Sequence, residues 1–206
     1  MKQLAQLRGF TLVELLIVIA IIAILAVVVV LVLNPTELLR QARDSSRISD
    51  LGSLKNGVLL YMQDNPGGTL ASTTPSPPFG YSACYVSTIQ GNGTTSLKCG
   101  MFANSYATVA SGSSALYRKN DATGWVPVDF RLSIGAPLGS LPVDPLNNAQ
   151  FYYAYAATTT AGKYFEIGAF MESQKYGFGG SKDIVSTDGG NNTSTFEVGN
   201  IPGLTL

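Results

Sequence analysis

Glu14 is the side chain whose chemistry is hardest to reconcile with its surroundings. It lies near the start of an apolar run from Phe10 to Leu33, in which Thr11 is the only other polar residue. A carboxylate at the centre of a bilayer costs about 2.5–3.5 kcal/mol, and less near the interface. A cost of that size favours a cationic partner over isolation. Two cysteines, Cys84 and Cys99, offer a second kind of chemistry. In an extracytoplasmic region they would pair as a disulfide, closing a loop of about 15 residues and stabilising by ~3 kcal/mol in the chain-entropy view. Free thiols are the alternative. Metal binding by the pair is disfavoured, because no histidine and no further cysteine accompany them. The lack of histidine also excludes Ser-His-Asp and Cys-His nucleophile arrangements. Carboxylates remain for acid–base work, as in a membrane-anchored enzyme, but no paired-carboxylate motif stands out.

The elements that must position these residues follow from hydropathy. The run from Phe10 to Leu33 would span roughly 36 Å as a helix, more than the ~30 Å hydrocarbon core of a bilayer. Lys2 and Arg8 precede it, so the positive-inside bias keeps the N-terminus cytoplasmic and exports the rest. A cleaved secretory signal would be shorter and would end in a small-x-small site; here the run ends Leu31-Val32-Leu33-Asn34-Pro35. A plain signal anchor fits length and charge but leaves Glu14 without a reason.

The stretch Arg8-Gly9-Phe10-Thr11-Leu12-Val13-Glu14-Leu15-Leu16 resembles the prepilin signature of type IV pilins and type II secretion pseudopilins. The resemblance covers about residues 1–35. It implies cleavage after Gly9 by a membrane aspartic peptidase, which also methylates the new terminal amine of Phe10. It further implies that Glu14 pairs with the Phe10 amine of a neighbouring subunit and sets axial register as subunits leave the membrane. Gly9 suits such cleavage, since a residue without a side chain lets a protease approach its carbonyl. The alternative for Glu14 is an acid favoured at a helix start by the macrodipole.

Beyond the apolar run, Asn34-Pro35-Thr36-Glu37 interrupts the helical pattern. Pro35 predicts a kink or local melt, or else a simple helix boundary with Thr36 as N-cap. Pilins resembling this chain commonly place a helix-breaking proline four residues earlier, at the position of Leu31. Leu38, Leu39, Ala42, Ile48, Leu51, Leu54, Val58 and Met62 then recur at helical spacing. Arg40, Arg43, Asp44, Arg47, Asp50 and Lys55 read as a solvated face. Asn65-Pro66-Gly67-Gly68 ends the helix. From Thr11 to Asp64 an unbroken helix would reach roughly 80 Å.

The remainder predicts a β-rich head. Ala83–Ser87 and Leu97–Phe102 flank Gly91-Asn92-Gly93 as a candidate hairpin, and Trp125–Leu132 is a further strand candidate. Pro142-Val143-Asp144-Pro145, an aromatic strand at Phe151–Tyr155 and a second strand at Tyr164–Glu172 follow. This order resembles the head of bacterial pilins and of the major pseudopilin; read alone, Asp-Pro and Asn-Asn are ordinary turn pairs. Major pseudopilins hold calcium in a C-terminal loop, and Asp183 and Asp188 could supply part of the six to eight oxygens required. An Asp-Gly-Gly turn is the competing reading. No other cofactor is expected. Asn92-Gly93-Thr94 and Asn191-Asn192-Thr193 fit the glycosylation pattern.

The expected fold is therefore α+β: a long N-terminal helix, membrane-spanning in its first half, packed on a small antiparallel sheet. The expected parts are a leader at 1–9, a membrane or filament-core helix at 10–33, its amphipathic continuation at 34–64 and a head at 65–206. The implied function is a structural, non-enzymatic subunit that self-assembles into a filament. Its implied partners are the prepilin peptidase/methyltransferase, an inner-membrane assembly platform and a separate ATPase motor. The implied path runs from the membrane, with the head outside the cytoplasm, to a cell-surface filament. A secretion pseudopilin, or a minor pilin with an adhesive or DNA-uptake role, is the alternative. Thirteen basic and thirteen acidic residues leave no net charge, which argues against direct nucleic-acid binding.

Overall fold

A computed structural model describes residues 9–71, 83–88, 101–102, 106–107, 116–158, 163–200 and 203. The chain divides into two compact units, Met1–Leu39 and Arg40–Leu206.

In the first unit, helix α1 covers Leu12–Leu33. Its side chains are exposed on every face, Leu12 through Leu33 alike where they are described. An all-round apolar helix must be buried by something other than its own chain. α1 stops at Asn34, whose backbone is left-handed (φ 41°, ψ 75°), a conformation asparagine tolerates better than most residues. Helix α2, Pro35–Asp64, begins at the next residue. The helix is thus divided at Asn34 rather than continuous. Pro35 occupies the first helical position, where its missing N–H is not needed and its fixed φ is already helical. The cap is Asn34, not Thr36: the Asn34 Oδ1 accepts from the Thr36 hydroxyl at 2.7 Å and the Glu37 N–H at 3.4 Å.

In the second unit the sheet has strands β1 (Ala83–Val86), β2 (Tyr106–Ala107), β3 (Tyr153–Ala157), β4 (Phe165–Phe170) and β5 (Thr195–Gly199). Their order is β2-β1-β3-β4-β5. The β1–β3, β3–β4 and β4–β5 pairs are antiparallel, and the short β1–β2 pair is parallel. Strand β3 explains why both faces of the sheet are dry. Its Tyr-Ala-Tyr-Ala alternation sends Tyr153 and Tyr155 into a core with Leu51, Leu54 and Val58 of α2 and with Trp125 and Phe130. Ala154 and Ala156 face a second cluster with Val86, Met101 and Phe102. Burying each large α2 side chain stabilises by about 1.5–3 kcal/mol.

One expected strand is corrected. Trp125–Leu132 is not a strand. Val126, Val128 and Phe130 are buried and alternate with half-buried Pro127 and Asp129 as a strand would, but the segment forms no ladder: Asp129 makes only an isolated bridge with Asp121, and Pro127 lacks a ladder donor. The segment ends in a 3-10 turn, Phe130–Leu132, capped by the Asp129 carboxylate. The expected hairpin between Ala83–Ser87 and Leu97–Phe102 falls largely outside the described residues. β1 is flanked by β3 on one edge, and by β2 at Ala83 and Cys84 on the other. Met101 and Phe102 lie in a turn, while 97–100 and Gly91-Asn92-Gly93 fall outside the described residues. Cys84 is buried on β1 and disulfide-bonded; Cys99 falls outside the described residues.

Gly57 shows how closely the Phe130–Leu138 segment approaches α2. A Cβ there would sit 3.0 Å from Leu138 Cδ1 and 3.4 Å from Phe130 Cε1.

Candidate processing and assembly site

Gly9, Phe10 and Thr11 precede the first turn of α1, outside any helix or strand. A Cβ added at Gly9 would meet nothing within 4 Å, and Phe10 is 87% exposed. Thr11 is extended (φ −80°, ψ 154°) and caps α1. Its hydroxyl accepts from the Glu14 N–H at 3.3 Å. In return, Glu14 Oε2 accepts from the Thr11 N–H at 2.8 Å and from the Thr11 hydroxyl at 2.7 Å. This reciprocal capping box satisfies orphan donors of the first helical turn. Sequence reasoning treated Thr11 only as part of a motif, although Thr-x-x-Glu is itself a readable box pattern. The structure brings Gly9, Phe10 and Glu14 to one end of one helix, next to Leu12–Val30, the one stretch among the described residues long and apolar enough to cross a membrane.

The second unit holds a charge cluster that the sequence assigned to solvent. Asp44 and Arg47 of α2 are fully buried. Arg47 grips Asp144 with two bonds, Nε to Oδ2 at 2.6 Å and Nη2 to Oδ1 at 3.0 Å. Its Nη1 reaches Asp44 Oδ1 at 2.7 Å, and Nη2 also meets Glu172 at 2.5 Å. Arg43 holds Glu172 through Nε at 2.9 Å and Nη2 at 2.6 Å. The backbone N–H groups of Glu172 and Ser173 donate to Asp44, and those of Leu146 and Asn147 to Asp144. The Arg47 guanidinium also lies 5.1 Å from the Phe151 ring centre. Three segments distant in sequence are tied together: α2, the Pro142–Asn147 turn and the loop after β4.

Burial by itself would lower the Arg47 pKa, but the bonds to Asp144, Asp44 and Glu172 outweigh it and raise it. Burial likewise pushes Glu172 up, while Arg43 and Arg47 prevail and hold it below the usual carboxylate range. An Asp-x-x-Arg spacing on α2 and an Asp inside a Pro-x-Asp-Pro turn were visible in the sequence. Only the fold shows that they meet.

The C-terminal aspartates are apart in role. Asp183 accepts from the N–H groups of Gly179 and Ser186 at 2.7 and 2.9 Å, bonds that lower its pKa. Asp188 accepts from the N–H groups of Gly190 and Glu197, each at 2.8 Å, and burial raises it. Asp183 thus organises its own turn, while Asp188 ties the Gly189–Gly190 turn to β5. Among the described residues no group of three or more His, Cys, Asp or Glu is placed to hold a metal ion.

A long apolar helix followed by a mostly antiparallel sheet is a pilin-like α+β arrangement. The model of the prokaryotic N-terminal methylation motif matches residues 6–30, so the chain carries the prepilin signature of type IV pilins and pseudopilins across the capping box and most of α1. No curated protein and no solved structure matches the chain.

Proposed function

We propose that this chain is the precursor of a structural subunit of a type IV pilus-like filament. It is cleaved after Gly9, methylated at Phe10 and stored in the membrane through α1. It then joins a helical fibre in which Glu14 pairs with the Phe10 amine of a neighbour. The observation that carries this reading is the methylation motif set on exposed Gly9 and Phe10, directly ahead of a helix with no polar face. The α1 side chains need a partner once they leave lipid, and copies of the same helix supply one. The peptidase/methyltransferase, an assembly platform and a separate motor complete the scheme, with the sheet-bearing unit outside the cytoplasm.

Mass spectrometry of the protein from cells containing its peptidase tests the first step. The expected mature chain starts at methylated Phe10; a different N-terminus overturns the proposal. Glu14→Ala is expected to be cleaved normally but to yield few filaments, counted by shearing and sedimentation. Filament yield equal to the parent would remove the pairing role.

A further inference from the structure

The capping box places the two oxygens of Glu14 in different situations. Oε2 receives both Thr11 donors, the N–H at 2.8 Å and the hydroxyl at 2.7 Å. No described group donates to Oε1. A carboxylate on an exposed helix start would otherwise rotate among several rotamers. Two donors on one oxygen hold it in a single orientation along its own helix end and leave the second oxygen open to an incoming cation. Two of these three bonds involve the Thr11 hydroxyl, once as donor and once as acceptor from the Glu14 N–H.

We propose that Thr11 is the positioning residue for Glu14. It holds Oε2 so that Oε1 is presented to the Phe10 amine of the adjoining subunit. The inference rests on the reading that Glu14 pairs across subunits. Thr11 has two separable tasks here: its hydroxyl accepts from the Glu14 N–H, which is ordinary helix capping, and donates to the Glu14 carboxylate, which is positioning. The peptide N–H of Thr11 survives cleavage between Gly9 and Phe10, so the arrangement is available to precursor and mature chain alike.

The full-length chain in an assembling host tests this with Thr11→Val, Thr11→Ser, Glu14→Gln and the Thr11→Val/Glu14→Gln double variant. The readouts are the cleaved and methylated fraction by mass spectrometry and the sedimentable filament yield. Thr11→Val is expected to be processed as the parent but to lose about tenfold in filament yield, the scale of one charge-assisted hydrogen bond. Thr11→Ser is expected to restore it. On the Glu14→Gln background, Thr11→Val should add no further loss, because there is no carboxylate left to aim. A further loss on that background would assign Thr11 to capping alone and overturn the proposal. Normal filaments from Thr11→Val beside a defective Glu14→Gln would also overturn it, leaving the subunit pairing intact. Normal filaments from Glu14→Gln would instead remove the pairing reading, and this inference with it.

Discussion

At the scale of single residues, Asp144 is the side chain on which most of the second unit converges. It accepts two bonds from a fully buried Arg47 and two from the backbone of its own turn. Removing one partner of a buried pair leaves the other charged and unsolvated, which costs about 3–5 kcal/mol. Asp144→Ala is therefore expected to lower the unfolding free energy of the full chain by that amount, read as a lower urea midpoint with the denaturant slope unchanged. Glu172 gives the cluster a pH dependence of defined sign. Its folded pKa lies below the ordinary value, so its contribution is complete above the unfolded pKa of about 4.3 and is lost as the pH falls through the folded one. Thermal melts of the full chain in detergent should hold a plateau near neutrality and fall on acidification. Glu172→Gln should flatten that fall.

At the scale of elements, α2 is held by shape as much as by charge. Gly57 lets the Phe130–Leu138 segment lie against the helix, and Lys163 donates to the carbonyls of Asn65 and Pro66 just past the helix end. Gly57→Val would drive a branched side chain into Leu138 and Phe130. Overpacking of this kind costs about 1–3 kcal/mol, and the loss should be visible as a lowered melting temperature with the helix content intact. Periodicity made α2 legible from Leu38 onward, and it gave β3 and β4 to within a few residues. β5 was not legible, because Thr195–Gly199 follows a run of Gly, Asn and Thr that reads as turn. The break at Asn34 was legible as a disturbance at Asn-Pro. Its assignment needed the left-handed backbone at Asn34 and the cap it supplies.

At the scale of the whole molecule, the two units differ in kind. The first exposes an apolar helix on every face where it is described. The second buries both faces of its sheet. The sequence by itself determined the apolar helix of the first unit: Arg8, Gly9, Phe10, Glu14 and an apolar run are all local in the chain, and their meaning depends on order and spacing. It also determined that an α2-like helix and aromatic strands would follow. Only the tertiary structure decided the fate of the α2 charges. Arg47 lies 97 positions from Asp144, and Arg43 lies 129 from Glu172. No periodicity carries information over such separations. An Arg and an Asp on a helix look solvated until the sheet and its turns close over them, because a buried charge is stable only where partners far along the chain arrive at the same place.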